Sequence, residues 1–239
     1  MRAGQPIGGA RRPRRAARRG RRWAWRAGLA VLLLILAPLP VVLALRWLPP
    51  PTTSFILQSP VRPVHHEWVA WDAIPPHLAL AAVAAEDQRF ALHDGFDIDA
   101  IREAIADNRA RARPRGASTI SQQVAKNLFL WPGGGYARKA AEAWITVLIE
   151  QCWPKRRILE MYLNIAELGP GVYGVEAAAW RWFQRPAAAL RQREAALLAA
   201  MLPSPRRARP DAPDRPLASR AAWIETQMRN LGSDWLAEL

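Results

Sequence analysis

The sequence predicts an all-α domain behind a single N-terminal transmembrane helix, and three observations lead there. Apolar residues recur at helical spacing through most of the chain, strand-like alternation is almost absent, and an uncharged apolar stretch follows a dense run of arginines. The composition, 51% hydrophobic and 23% charged, is that of a chain with a buried core and excludes intrinsic disorder.

The arginines lie between Arg11 and Arg26, ahead of any acidic residue, and supply much of the formal charge of +14. Charge gathered in one tail must be read with its neighbour, and nucleic acid is not an expected partner. Ala27 to Leu45 carries no charge and, at about 1.5 Å per residue, approaches the thickness of a bilayer core. Pro38 and Pro40 weaken its later half, which membrane helices tolerate. Trp23, Trp25 and Trp47 sit where interfacial aromatics belong. The positive-inside rule keeps the tail in the cytoplasm and sends the chain after Leu48 to the outer face. A cleaved signal peptide is the rival, but the apolar run exceeds such a peptide's core and no small-residue cleavage site precedes Arg46. The expected organisation is a basic tail over residues 1–26, an anchor over 27–48, a linker over 49–67 stiffened by Pro49, Pro50 and Pro51, and one domain over 68–239.

Within that domain Pro75 and Pro76 mark a helix start, where a missing N–H is harmless, and Leu78 to Phe90 follows without a breaker. Further helices are predicted over Ile98–Ala112, Thr119–Leu130, Tyr136–Gln151, Lys155–Asn164, Val175–Phe183, Arg191–Leu202 and Ala218–Leu231. The breaks at Trp131–Gly135 and Gly169–Gly171 are rich in Gly and Pro. Cys152 is the only cysteine and His65, His66, His77 and His93 are scattered, so neither a disulfide nor a structural metal is expected.

Chemistry then falls to carboxylates and cations. At helical spacing Glu86 shares a face with Val83 and Phe90, and partial burial would raise its pKa toward the range useful for proton transfer. A salt bridge to Arg89 would account for the same residue. Glu142 repeats the pattern, with Ile145 and Ile149 on its face and Arg138 and Lys139 one turn before it; an ordinary intrahelical ion pair is the plain alternative. Two such acids suggest a carboxylate pair of the kind used on glycosidic bonds. Between them, Thr119 followed by Gln122 fits a capping box, and a helix N-terminus attracts anions. Arg115, Lys126, Arg138 and Lys139 are cations that could converge on a pyrophosphate.

The combination is more specific than its parts. Glu86 to Asp97 reads EDQRFALHDGFD, Gly116 to Asn127 reads GASTISQQVAKN, Arg138 to Glu142 reads RKAAE, and Lys155 to Asn164 reads KRRILEMYLN. In this order they resemble the glycosyltransferase domain of bacterial peptidoglycan polymerases, the family of the transglycosylase half of class A penicillin-binding proteins and of the shorter monofunctional transglycosylases. The resemblance runs from about Trp68 to Pro205. Gly171 to Gly174 and Ala177 to Phe183 resemble that family's final motif, with Gln184 and Arg185 in place of its usual small residue and lysine.

The resemblance implies a lysozyme-like fold of two lobes around a groove and a reaction outside the cytoplasm, at the inner membrane. Its substrates would be lipid II and the growing glycan chain. Glu86 would be the general base acting on the acceptor 4-hydroxyl, with inversion at the anomeric carbon and departure of undecaprenyl pyrophosphate. Glu142 would stand near the leaving pyrophosphate, and Lys126, Arg138 and Lys139 would neutralise it. Ser118, Thr119, Gln122, Gln123 and Asn127 would line the groove. No tightly bound cofactor is implied, although Mg²⁺ or Mn²⁺ could accompany the substrate pyrophosphate. Cell-wall assembly proteins are the protein partners it suggests.

No Ser-x-x-Lys pair occurs, so a monofunctional enzyme without transpeptidase chemistry is expected. Two other readings stay open: a lytic enzyme that cleaves preformed glycan, against which the basic cluster counts, and a tethered scaffold that binds glycan without turnover.

Overall fold

The computed structural model describes residues 23, 25–26, 28–29, 32–33, 35–108, 116–232 and 235–236. Most of the basic tail, part of the predicted anchor and Arg115 lie outside them. Among the described residues no helix is long and apolar enough to cross a membrane. The chain forms two compact units, Met1–Val41 and Val42–Leu239. In the first, the described residues from Trp23 to Leu36 are helical, and Leu29, Leu32 and Leu33 expose their side chains. Helix α1 spans Leu39–Leu45.

The second unit is overwhelmingly helical, as the periodicity predicts. Its central helix, α3 (Pro76–Glu86), buries Leu78 through Ala84 without interruption. A helix apolar on every side must sit inside a core. Two helical groups enclose it: α9 (Gln192–Met201) and α10 (Arg215–Leu231) pack on α3 from one side, while α5 (Ile120–Phe129), α6 (Tyr136–Cys152) and α7 (Lys155–Ile165) pack on one another. Helix α7 joins the groups because it touches α3 as well as α5 and α6. It buries Ile158, Leu159, Met161, Tyr162, Leu163 and Ile165. Helices α4 (Ile98–Asn108) and α8 (Val175–Phe183) complete the set.

The ends of these helices follow local chemistry. Pro75 and Pro76 open α3, and α5 begins in the capping box that Thr119 and Gln122 predict, with both reciprocal bonds formed. Helix α10 starts at Arg215 rather than Ala218, because Asp214 accepts the Leu217 N–H at 2.9 Å and Pro216 suits a first turn. Helix α3 stops at Glu86, four residues short of the predicted end, and Phe90 lies in a separate single turn over Phe90–Leu92.

Two features depart from the expectation. A two-residue parallel ladder pairs β1 (His65–His66) with β2 (Val172–Tyr173). Residues 49–67, expected as a linker, are built into the domain. Thr53 caps the short helix α2 (Ser54–Leu57), Ile56 is buried, and Ser54 donates to the Leu130 carbonyl. The preceding turn is fixed as firmly: buried Arg157 donates to the Leu45 and Leu48 carbonyls at 2.7–3.0 Å, and the Trp153 indole donates to the Val42 carbonyl at 2.7 Å. Three bonds from one guanidinium satisfy carbonyls that a helix end leaves open. Arg157 also pairs with Glu160 and stacks over Trp68.

Candidate functional site

Glu86 is the last residue of α3, and its side chain is only 16% exposed. Val83, one turn earlier on α3, is fully buried as the spacing predicts, whereas Phe90, expected on the same helical face, lies beyond the helix end in the Phe90–Leu92 turn, so the predicted face forms only in part. Burial pushes the Glu86 carboxyl above the ordinary carboxylate range. Three groups pull it back: the Gln123 amide, which donates to Oε2 at 2.9 Å, and the charges of Arg220 and Lys126. Neighbouring Asp87 pushes it up again. Arg89 is not its partner; that guanidinium pairs with Asp97 and with Asp99 at 2.9 Å. The cation beside Glu86 is Arg220 of α10, 3.6 Å from Oε1.

The surrounding motif residues fix the backbone that follows this carboxylate. Asp87 is buried and spends one oxygen on the Ile120 N–H at the start of α5 (3.0 Å) and the other on His93 (2.9 Å). Thr119 donates to the Gly95 carbonyl at 2.6 Å. Gly95 has φ +86°, and a Cβ there would stand 2.7 Å from the Thr146 methyl. Only glycine fits that backbone at that separation. Lys155 ties the loop further, donating to the His93 carbonyl and to Glu150 while lying over the Phe90 ring. The loop after Glu86 is thereby pinned to α5, α6 and α7.

A second cluster lies on α5 and α6. Glu142 is 3% exposed, with Ile145 and Ile149 buried on its face as the spacing predicts. Both of its oxygens are engaged, one by Arg138 at 2.6 Å and the other by Lys139. Three cations, Lys126, Arg138 and Lys139, thus surround one carboxylate, and Arg138 keeps a buried Nε without a hydrogen-bond partner. Burial holds the Lys126 ammonium below its ordinary pKa; Glu142 opposes this, Arg138 and Lys139 add to it, and Glu86 opposes it. Lys126 therefore feels both glutamates and links the two clusters. A partly buried excess of positive charge with an unused donor suits a diphosphate. Among the described residues no group of three or more His, Cys, Asp or Glu side chains is placed to hold a metal ion.

Of the other residues picked out in the sequence, Ser118 is exposed on the groove wall and Gln123 contacts Glu86 directly. Thr119 and Gln122 are buried and use their side chains in the cap, and of the two only Thr119 lines the groove. Asn127 is buried on α5. The groove runs beside Glu86, between the end of α3, the residues around Ser118 and the face of α10; one part encloses about 520 Å³ and an adjoining part about 1010 Å³. Sequence reasoning missed two contributors. Arg220 lies far downstream in a helix whose pattern speaks only of packing, and Tyr162, read as core, places its hydroxyl 3.3 Å from Gln123 Oε1.

A mostly buried carboxylate thus stands at the wall of an open groove, electrostatically tied to a cation cluster, within a helical fold. The chain belongs to the transglycosylase family, whose model matches residues 54–229. Proteins named biosynthetic peptidoglycan transglycosylase are similar over nearly the whole chain. That of Ectopseudomonas mendocina is 50% identical, covering 86% of this chain and 89% of the relative. Those of Shewanella oneidensis and Rhodospirillum centenum are 48% and 50% identical, each over 88% of this chain and at least 90% of their own length.

Proposed function

We propose that this enzyme polymerises lipid II into peptidoglycan glycan strands, with Glu86 as general base. The acceptor 4-hydroxyl gives its proton to the Glu86 carboxylate while its oxygen bonds to the anomeric carbon of the growing chain. The bond from that carbon to the phosphate oxygen breaks, its electron pair leaves with undecaprenyl pyrophosphate, and attack from the opposite face inverts the centre. The observation that carries this reading is the environment of Glu86. Burial raises its pKa and so makes the carboxylate a stronger base than an exposed one, and the Gln123 amide donates to Oε2 at 2.9 Å, which fixes its orientation.

Lys126, Arg138 and Lys139 receive the charge that develops on the leaving diphosphate. Glu142, with both oxygens occupied, orients two of those cations and keeps them from repelling one another. Mg²⁺ or Mn²⁺, where required, arrives with the substrate. The enzyme is monofunctional and works on the periplasmic side of the inner membrane, held by a single N-terminal anchor whose arginine-rich flank stays in the cytoplasm. The apolar, uncharged run from Ala27 to Leu45 behind those arginines supports this placement.

The test is incubation of the purified full-length chain with labelled lipid II. Glycan strands and free undecaprenyl pyrophosphate are expected, with sensitivity to moenomycin. Digestion of preformed glycan without polymerisation would instead establish the lytic reading, and glycan binding without turnover the scaffold.

A further inference from the structure

Helix α10 carries an arrangement that its packing does not explain. Leu217, Ala221, Ile224 and Met228 form its buried face and account for its docking on α3 and α9. The groove side presents Ser219, Trp223 and Gln227, spaced four apart and hence aligned on one stripe. Trp223 is 47% exposed and lines both parts of the groove, and each part also includes Glu86 and Ser118. A large indole left half in water at a reactive carboxylate is unfavourable for folding alone. Its flat apolar face with polar neighbours on either side suits a pyranose ring, whose axial C–H groups stack on aromatics while its hydroxyls need hydrogen-bond partners.

The side of the site it occupies also matters. The cations that suit a diphosphate stand on α5 and α6, whereas Trp223 stands on α10 with Arg220, which touches Glu86 from that direction. A sugar that gives its proton to Glu86 comes to that carboxylate within hydrogen-bond reach, and the groove wall it meets on the α10 side is the indole.

We infer that Trp223, flanked by Ser219 and Gln227, forms a stacking subsite for the acceptor's disaccharide and sets which hydroxyl reaches Glu86. The acceptor assignment rests on the polymerase reading above; the sugar subsite itself does not. Trp223 is thus a positioning and specificity residue that takes no proton.

The test uses the free N-acetylglucosaminyl-N-acetylmuramic acid disaccharide, without lipid or diphosphate, binding to the full-length chain in detergent and followed by saturation-transfer NMR. Trp223→Ala should weaken binding about tenfold and Trp223→Phe by no more than about threefold, since a smaller ring still stacks. Trp180→Ala, which removes a comparably exposed indole lining a different groove, should bind as wild type does. With lipid II, Trp223→Ala should raise KM and leave the pH profile of kcat unmoved. Absence of disaccharide binding by the wild type, or equal binding by Trp223→Ala, overturns the subsite. Trp223-dependent binding in a protein that makes no glycan from lipid II would uphold the subsite and refute the polymerase reading.

Discussion

The Gln123 side-chain amide donates to Glu86 Oε2 at 2.9 Å, and its own oxygen lies 3.3 Å from the Tyr162 hydroxyl. Tyr162 is fully buried, so the amide is held from behind and aims a donor at the carboxylate from a fixed direction. That donor favours the charged form of Glu86 and partly offsets the burial that raises its pKa. Gln123→Ala should therefore raise the pKa further and move the acid limb of the pH–rate profile to higher pH. Turnover at neutral pH should fall roughly tenfold. A uniform loss at every pH would assign Gln123 to substrate contact instead.

Glu86 also carries a stability signature. Its folded-state pKa is raised, so its contribution to stability is fully present below the unfolded pKa, near 4, and is lost as pH rises through the folded value. Glu86→Gln removes that penalty. Thermal melting should show the variant more stable than wild type at pH 8, with the difference vanishing by about pH 4. Destabilisation at both pH values would mean that the charged carboxylate holds the fold.

Arg138 and Lys139 contact the same carboxylate but differ in exposure, at 12% and 47% of the side chain. Arg138→Ala leaves buried Glu142 in direct contact only with the more exposed Lys139, with Lys126 acting on it from further off, and should cost about 3 kcal/mol in denaturant unfolding. Lys139→Ala should cost less than about 1 kcal/mol. Both should slow turnover, because each removes charge from the diphosphate cluster.

At Gly95 the test is steric. With φ at +86° and the Thr146 methyl 2.7 Å from any added Cβ, Gly95→Ala should destabilise the protein by about 1–3 kcal/mol. The loop it distorts holds the Thr119 hydroxyl and, through His93, the Asp87 carboxylate, so activity should fall even in the folded fraction.

Local chemistry was legible in the sequence wherever a signal and its consequence lie within a few residues. The Thr119–Gln122 cap, the proline start of α3 and the apolar face beside Glu142 are of this kind, and all three appear in the structure. Relations that depend on the chain returning on itself were not. Arg220 meets Glu86 only because α10 packs on α3, and nothing near residue 220 marks it. The segment 49–67 reads as a linker because prolines and mixed polarity suggest one, yet Arg157 and Leu130 capture its neighbourhood from far along the chain. The early end of α3 has the same origin: Asp87 leaves the helix to serve the N–H of Ile120.

Turnover of labelled lipid II by Glu86→Gln, compared with wild type at equal folded fraction, addresses the mechanism most directly. Loss of the base should lower the rate by about 100-fold or more with the fold intact. Glycan synthesis by that variant at close to the wild-type rate would show that some other group accepts the proton.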